Sequence, residues 1–160
     1  DCAYYHIHIR LGVLLLKKVR LVCVGKNSKP FCRDGCDEYL KRLKSAYDVT
    51  VVEIPEQPTI KKECDEILRR TEGYIALMDV NGEQVDSVGF ADMLKREHEK
   101  HDEITFVIGG AAGVDDRVRA AANKRISFGR VTYPHQIARL LLCEQLYRAS
   151  TIIKGIPYHK

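Results

Sequence analysis

The run Ile104-Thr-Phe-Val-Ile108 ends directly on Gly109-Gly110-Ala-Ala-Gly113. A short apolar, β-branched segment with no polar alternation reads as a strand covered on both faces. One or two glycines after a strand are explained by a tight strand-to-helix turn with positive φ. Three within five residues point further, to a backbone that a ligand approaches closely. A second loop of the same kind follows. A short strand is expected around Phe128-Gly129-Arg130-Val131-Thr132, running into Tyr133-Pro134-His135-Gln136 and a long apolar helix. Two glycine-containing loops at neighbouring strand ends can build a small-molecule pocket largely from backbone.

The rest of the chain alternates in the same rhythm. Val19–Val24 reads as a buried strand, and Ser28-Lys29-Pro30 opens a helix with proline near its first turn. Strands are expected at 49–54, 74–79 and 104–108. Thr59 and Ser87 are expected to cap helices, Asn81-Gly82 to form a tight turn, and 117–123 to be an Ala-rich helix. Gly155 and Pro157 should end the final helix, which begins near His135. This alternation predicts one α/β domain, with a mostly parallel sheet and helices on both faces. At 160 residues, a single domain with a real core is the natural size.

Several function classes are disfavoured. Gly109-Gly110-x-x-Gly113 lacks the first gap of the dinucleotide fingerprint, and the next strand brings Arg130 and Thr132 rather than an acidic residue. A P-loop would need Lys-Ser/Thr after the glycines. The six cysteines contain no C-x-x-C pair, which argues against a zinc ribbon. Cys32 and Cys36 lie one helical turn apart with no matching pair, so no metal is expected. A reducing cytoplasm suits this usage. The net charge of +4 permits an anionic partner without demanding one.

Residues 1–18 stand apart as an N-terminal extension, with the domain at 19–160. Their run Leu11–Leu16 is shorter than the about 20 residues a membrane-spanning helix takes. An extra edge strand or an anchor is the alternative use of this segment. The last helix is apolar around much of its circumference, through Ile137, Leu140, Leu141, Leu142, Cys143, Leu146, Ile152 and Ile153. Such a helix is covered on more than one side, which predicts a homodimer. Glu144 and Arg148 form an i,i+4 pair, and Arg148 reads equally as a helix ion pair or as a phosphate contact.

Val-Gly-Lys at 24–26, Phe-Val-Ile-Gly-Gly at 106–110 with Gly113, Tyr-Pro-His-Gln at 133–136, Glu144-Gln-Leu-Tyr-Arg-Ala149 and the terminal Pro157-Tyr-His-Lys160 occur in one order. Together they closely resemble the SPOUT-class methyltransferases that modify N3 of a pseudouridine in large-subunit (23S) ribosomal RNA. The resemblance covers Lys18 to Lys160. It implies a C-terminal deep trefoil knot, a homodimer, and S-adenosylmethionine held in the knot loops. Carried over position by position, cofactor contacts fall on Leu77, Gly109, Phe128, Gly129, Arg130, Val131, Thr132 and Tyr133. His159 is implied as base or hydrogen-bond partner for the RNA and Tyr158 as a positioning or stacking residue, both supplied by the partner subunit. The partner would be ribosomal RNA, within the assembled ribosome, in the cytoplasm. The alternative is a non-catalytic RNA- or ribosome-binding protein on the same scaffold.

Overall fold

The computed structural model describes residues 16–160. The expectations for the N-terminal extension, whether edge strand or anchor, therefore lie outside the described residues as far as Leu15. Lys17 and Lys18, assigned to the extension by sequence, already belong to the first strand.

Ten elements alternate strictly between strand and helix, beginning with a strand. They are β1 (Lys17–Val24), α1 (Pro30–Leu43), β2 (Tyr47–Ile54), α2 (Ile60–Arg70), β3 (Tyr74–Gln84), α3 (Ser87–Lys100), β4 (Glu103–Ile108), α4 (Asp116–Ala121), β5 (Lys124–Ser127) and α5 (His135–Lys154). All pairings are parallel, in the order β2-β1-β4-β3-β5. The two-residue period of the strands divides the core. Val19, Leu21 and Cys23 of β1, with Ile104, Phe106 and Ile108 of β4, face one side, where they join Cys36 of α1, Phe90 and Leu94 of α3, and Leu142 and Leu146 of α5. Val22, Val24 and Val107 face the other, against Cys64 and Ile67 of α2 and Val118 of α4. Helices thus cover both faces, and the central strand β4 is nearly all apolar because both its sides are dry. Its one hydroxyl, on buried Thr105, is satisfied: it donates to the Glu72 carbonyl at 2.6 Å and accepts from the Glu72 N–H at 3.0 Å.

Local chemistry sets the element ends. Thr59 caps α2 by accepting from the Lys62 N–H. Asp115 caps α4 by accepting from the N–H groups of Arg117 and Val118. Gly155 ends α5 in the left-handed region at φ 68°, with Ile156 N–H returning to the Thr151 carbonyl. The cap of α3 is Asp86, which accepts from Gly89 N–H at 2.7 Å, while Ser87 is the first helical residue and donates its hydroxyl to Gln145 at 2.8 Å. A carboxylate one residue upstream outcompetes the serine expected there.

Two larger differences shape the functional end. Asn81-Gly82 is no hairpin turn; it lies within β3, which continues to Gln84. The register to β5 jumps between Met78 and Glu83, both opposite Ile126, so the residues between them bulge out. Gly82 is required by proximity, because a Cβ there would stand 2.6–2.8 Å from backbone atoms of Arg125 and Ile126. The last strand also ends earlier than its sequence reads. β5 stops at Ser127, and the stretch from Phe128 to Pro134 is loop. Gly129 turns the chain at φ 122°, and the Ser127 hydroxyl bridges it by accepting from its N–H and donating to its carbonyl. These bonds replace the ladder that a longer strand would have made.

Gly82→Ala tests the packing of β3 on β5. It is expected to lower unfolding free energy by about 1–3 kcal/mol, as overpacking against rigid backbone does, read by denaturant titration.

Candidate functional site

The C-terminal ends of β3, β4 and β5 enclose a cavity of about 730 Å³. Leu77 to Val80 form one wall. Ile108, Gly109, Gly110, Ala111, Gly113 and Val114 form a second, and Phe128, Gly129 and Val131 to Pro134 a third. His135, Ala138 and Leu141 at the start of α5 close it. Two walls follow the parallel strands β4 and β5 and one lies within β3 beside its bulge, so the cavity sits where α/β folds place ligands, toward the carboxyl ends of strands.

Its surface is mostly apolar side chain and backbone. The glycine loop is turned by a Gly113 N–H to Gly110 carbonyl bond of 2.9 Å, with Gly113 at φ 78°. A Cβ on Gly113 or Gly129 would meet nothing within 4 Å, so both residues leave open space beside exposed peptide groups. Gly109 is tied instead to its own loop: a Cβ there would reach Val114 at 2.8 Å and the Gly113 carbonyl at 3.2 Å. Arg119 lines the cavity, but its guanidinium is held by Asp116 and the Val114 carbonyl. Asp79 is the carboxylate of the lining, 3.7 Å from Arg125 and accepting from Asn81 N–H.

Of the residues assigned to cofactor contact by sequence, Leu77, Gly109, Phe128, Gly129, Val131, Thr132 and Tyr133 line this cavity. Arg130 is exposed and is not among the lining residues. Sequence reasoning missed the Met78-Asp79-Val80 wall, because it read the following Asn81-Gly82 as a turn away from the sheet. It also gave Leu141 only an interface role, although Leu141 lines this cavity and a smaller one of about 320 Å³ beside it. The smaller cavity, which shares Phe128, Tyr133 and Leu141 with the larger, is bounded further by Val85, Asp86, Ser87 and Gln145.

The C-terminal residues lie elsewhere. Tyr158 packs edge-on against Tyr147 of α5 with centroids 4.8 Å apart, and the Arg148 guanidinium lies 4.8 Å from the Tyr158 ring centre. The Tyr158 hydroxyl donates to Glu144 Oε1 at 3.2 Å, and Arg148 Nη2 donates to the same oxygen. Burial first, then hydrogen bonding to Tyr39 and the nearby Glu144 charge, push the Tyr158 phenol up to about 12. The phenol therefore stays protonated near neutral pH and acts as a donor. Arg148 Nη1 lies 3.2 Å from His159 Nδ1. A guanidinium can only donate, so Nδ1 accepts and the proton of the neutral ring sits on Nε2. Gln145 extends the network, donating to Glu144 Oε2 at 2.8 Å and accepting from Ser87 beside the smaller cavity. Arg148 is thus a helix ion pair and a clamp on the tail together. Neither Tyr158 nor His159 lines the cavity of its own chain.

No helix among the described residues is long and apolar enough to cross a membrane. A family model described as "Predicted SPOUT methyltransferase" matches residues 17–159. The chain is 40% identical over 153 residues to ribosomal RNA large subunit methyltransferase H of Caldicellulosiruptor saccharolyticus, covering 89% of this chain and 99% of that protein. The protein of the same name from Enterococcus faecalis is 39% identical over 158 residues, with the same coverage. Among solved structures, the SpoU methyltransferase AviRb of Streptomyces viridochromogenes in complex with AdoMet aligns at a TM-score of 0.48 and 10% identity, over 90% of this chain and 60% of its own. With its family model spanning nearly every described residue and its relatives matched end to end, the chain belongs to the SPOUT methyltransferase family.

Proposed function

We propose that this protein is an S-adenosylmethionine-dependent methyltransferase acting on N3 of a pseudouridine in large-subunit ribosomal RNA. The observation that carries the reading is the cavity at the ends of β3, β4 and β5, which seven of the eight expected cofactor residues line. Its composition fits the cofactor. Leu77, Ile108, Phe128 and Val131 offer apolar surface to a flat adenine, and the turned loops around Gly113 and Gly129 offer peptide groups for its edge. Near-complete coverage of relatives named as ribosomal RNA methyltransferases supports the RNA substrate. An intact cavity argues against a binding protein that has lost catalysis.

The cofactor supplies an electrophilic methyl on a sulfonium. The chain's part is alignment: the cavity walls fix the donor, and the acceptor nitrogen must stand in line at about 3 Å. That nitrogen belongs to an imide and loses its proton on methylation. A group that stabilises the developing anion helps as much as one that takes the proton. With Nδ1 held by Arg148, His159 presents Nε2–H, which suits hydrogen bonding to a base carbonyl. Tyr158 sets the tail's direction through Glu144 and Tyr147.

The tail turns back on the C-terminal half of α5 instead of entering its own cavity. That placement supports a homodimer in which each cavity receives the tail of the partner. Partly exposed Ile137, Leu140 and Leu141 on α5 offer the apolar surface for it. After edge strand β5 the chain passes back to pack α5 against both α1 and α3. This return path supports the trefoil knot. The cytoplasm is the compartment in which this substrate is found.

Incubation with methyl-labelled cofactor and ribosomes lacking the modification is expected to place label on N3 of one large-subunit pseudouridine. Label on another atom, or none despite cofactor binding, contradicts the assignment. Deleting Tyr158–Lys160 is expected to leave cofactor affinity within a few-fold and to lower turnover by at least about 100-fold, the scale of lost positioning and proton handling. Mixing that truncated chain with a Gly109→Val chain is expected to restore part of the activity. In such a heterodimer one site has an intact cavity and an intact tail. Sedimentation of the wild type is expected to give a dimer of the 18.2 kDa chain.

A further inference from the structure

Phe31 is an aromatic side chain with no place in the core. It is 61% exposed, although it begins a helix whose next apolar positions, Cys32 and Cys36, are fully buried. Around it the sequence is Gly25-Lys26-Asn27-Ser28-Lys29-Pro30-Phe31. Lys26 and Lys29 make no ion pair among the described residues, while Arg33 reaches Asp34 at 3.6 Å. The first turn of α1 holds no acidic residue and has no side-chain cap. Positive charge at the positive end of a helix is locally unfavourable, and it is relieved by an anionic partner.

The loop is rigidly placed against the cavity wall. Gln136, in the first turn of α5, accepts from Lys29 N–H at 2.8 Å and donates to the Ser28 hydroxyl at 3.1 Å. Glu53 accepts from Asn27 N–H at 2.9 Å and from buried Arg139 of α5 at 2.6 Å. Gly25 lets the loop pass His135 so closely that a Cβ would stand 3.1 Å from its ring. His135 is itself a wall of the cavity. The first turn of α5 also lacks acidic residues and a side-chain cap. The N-terminus of α1, an exposed aromatic and two lysines without an ion pair among the described residues therefore share one loop, which is fastened to the first turn of α5 beside the site. Glu56, near Gly25, is the carboxylate of this corner that has no cationic partner among the described residues; Glu53 is engaged by Arg139.

We propose that the β1–α1 loop is a docking surface for single-stranded RNA flanking the reacting nucleotide, with a base stacked on Phe31 and phosphates at Lys26 and Lys29. An exposed ring offers a π-face to any base, and flexible cations follow a backbone without reading sequence. The surface is continuous, through His135, with the cavity in which the methyl donor would lie. This inference rests on the RNA methyltransferase reading and specifies how that site holds its substrate.

The test uses the full-length protein, large ribosomal subunits lacking the modification, and three variants: Phe31→Ala, Phe31→Trp and the double Lys26→Gln/Lys29→Gln. Phe31→Ala is expected to weaken subunit binding and raise KM about tenfold or more, the scale of one lost base stack, and Phe31→Trp to restore it. The double variant is expected to flatten the dependence of log affinity on log salt by about 1.4, or 0.7 per lysine. Cofactor affinity and thermal midpoint are expected to stay at wild-type values in all three. Wild-type methylation with unchanged KM and salt slope in the variants overturns this surface alone. Weaker binding by Phe31→Ala with an unchanged salt slope in the lysine variant overturns RNA as the occupant and indicates a ribosomal protein. A wild type that binds cofactor and methylates no RNA overturns the functional reading together with this one.

Discussion

The pairing of β5 with the bulged C-terminal half of β3 is the constraint on which the functional end depends. Four residues of β5 must find an edge that β3 extends to Gln84, past the end of β4. The register jump between Met78 and Glu83 throws Asp79 and Val80 outward, where they become a cavity wall. Close passage of Gly82 past Arg125 and Ile126 lets β5 seat there at all. Once β5 is seated, Ser127 and Gly129 turn the chain over the glycine loop of β4, and α5 starts from the rim. The bulged stretch of β3 and the loops after β4 and β5 then face one another, and the ligand space follows from the sheet order.

Helix α5 joins this end of the molecule to everything else. Its first turn walls the cavity through His135 and fastens the β1–α1 loop through Gln136. Buried Arg139, 6% exposed, reaches Glu53 at the end of β2. Leu142, Cys143 and Leu146 fill the core between α1 and α3. Its middle and C-terminal half carry Glu144 and Arg148, which hold Tyr158 and His159. A helix with so many separate duties has little surface left for a purely polar face, which is why it is apolar around most of its circumference. Gln145 and Ser87 connect the tail clamp to the smaller cavity. A change at the cavity rim and a change in the tail therefore have a common set of hydrogen bonds to act through.

Much of this was legible in the sequence where one local rule acts alone. Buried strands showed as unbroken β-branched runs, Thr59 as a cap, Pro30 as a first-turn residue and Gly155 as a helix end. The glycine loops and the motifs from Tyr133 onward marked the cavity walls. Legibility failed where a long-range contact overrode a local preference. Asn81-Gly82 carries a strong turn signal, yet β5 passing alongside turns it into a bulge within a strand. Ser87 lost the cap of α3 to Asp86 and bonds to Gln145, which is 58 residues away. Phe128 to Thr132 have the composition of a strand, but Ser127 bonds to Gly129 locally and the ladder ends. Arg148 was ambiguous because its partner His159 lies beyond the helix, where periodicity gives no guidance.

The most direct test of the account is a crystal structure of the protein grown with S-adenosylhomocysteine, the demethylated form of the proposed methyl donor. The account predicts density for one ligand per chain between Leu77, the Gly109–Gly113 loop and the Phe128–Tyr133 loop. It also predicts the partner's tail beside the exposed sulfur. Ligand density at another place, or an empty cavity at saturating ligand with measured binding, would contradict it.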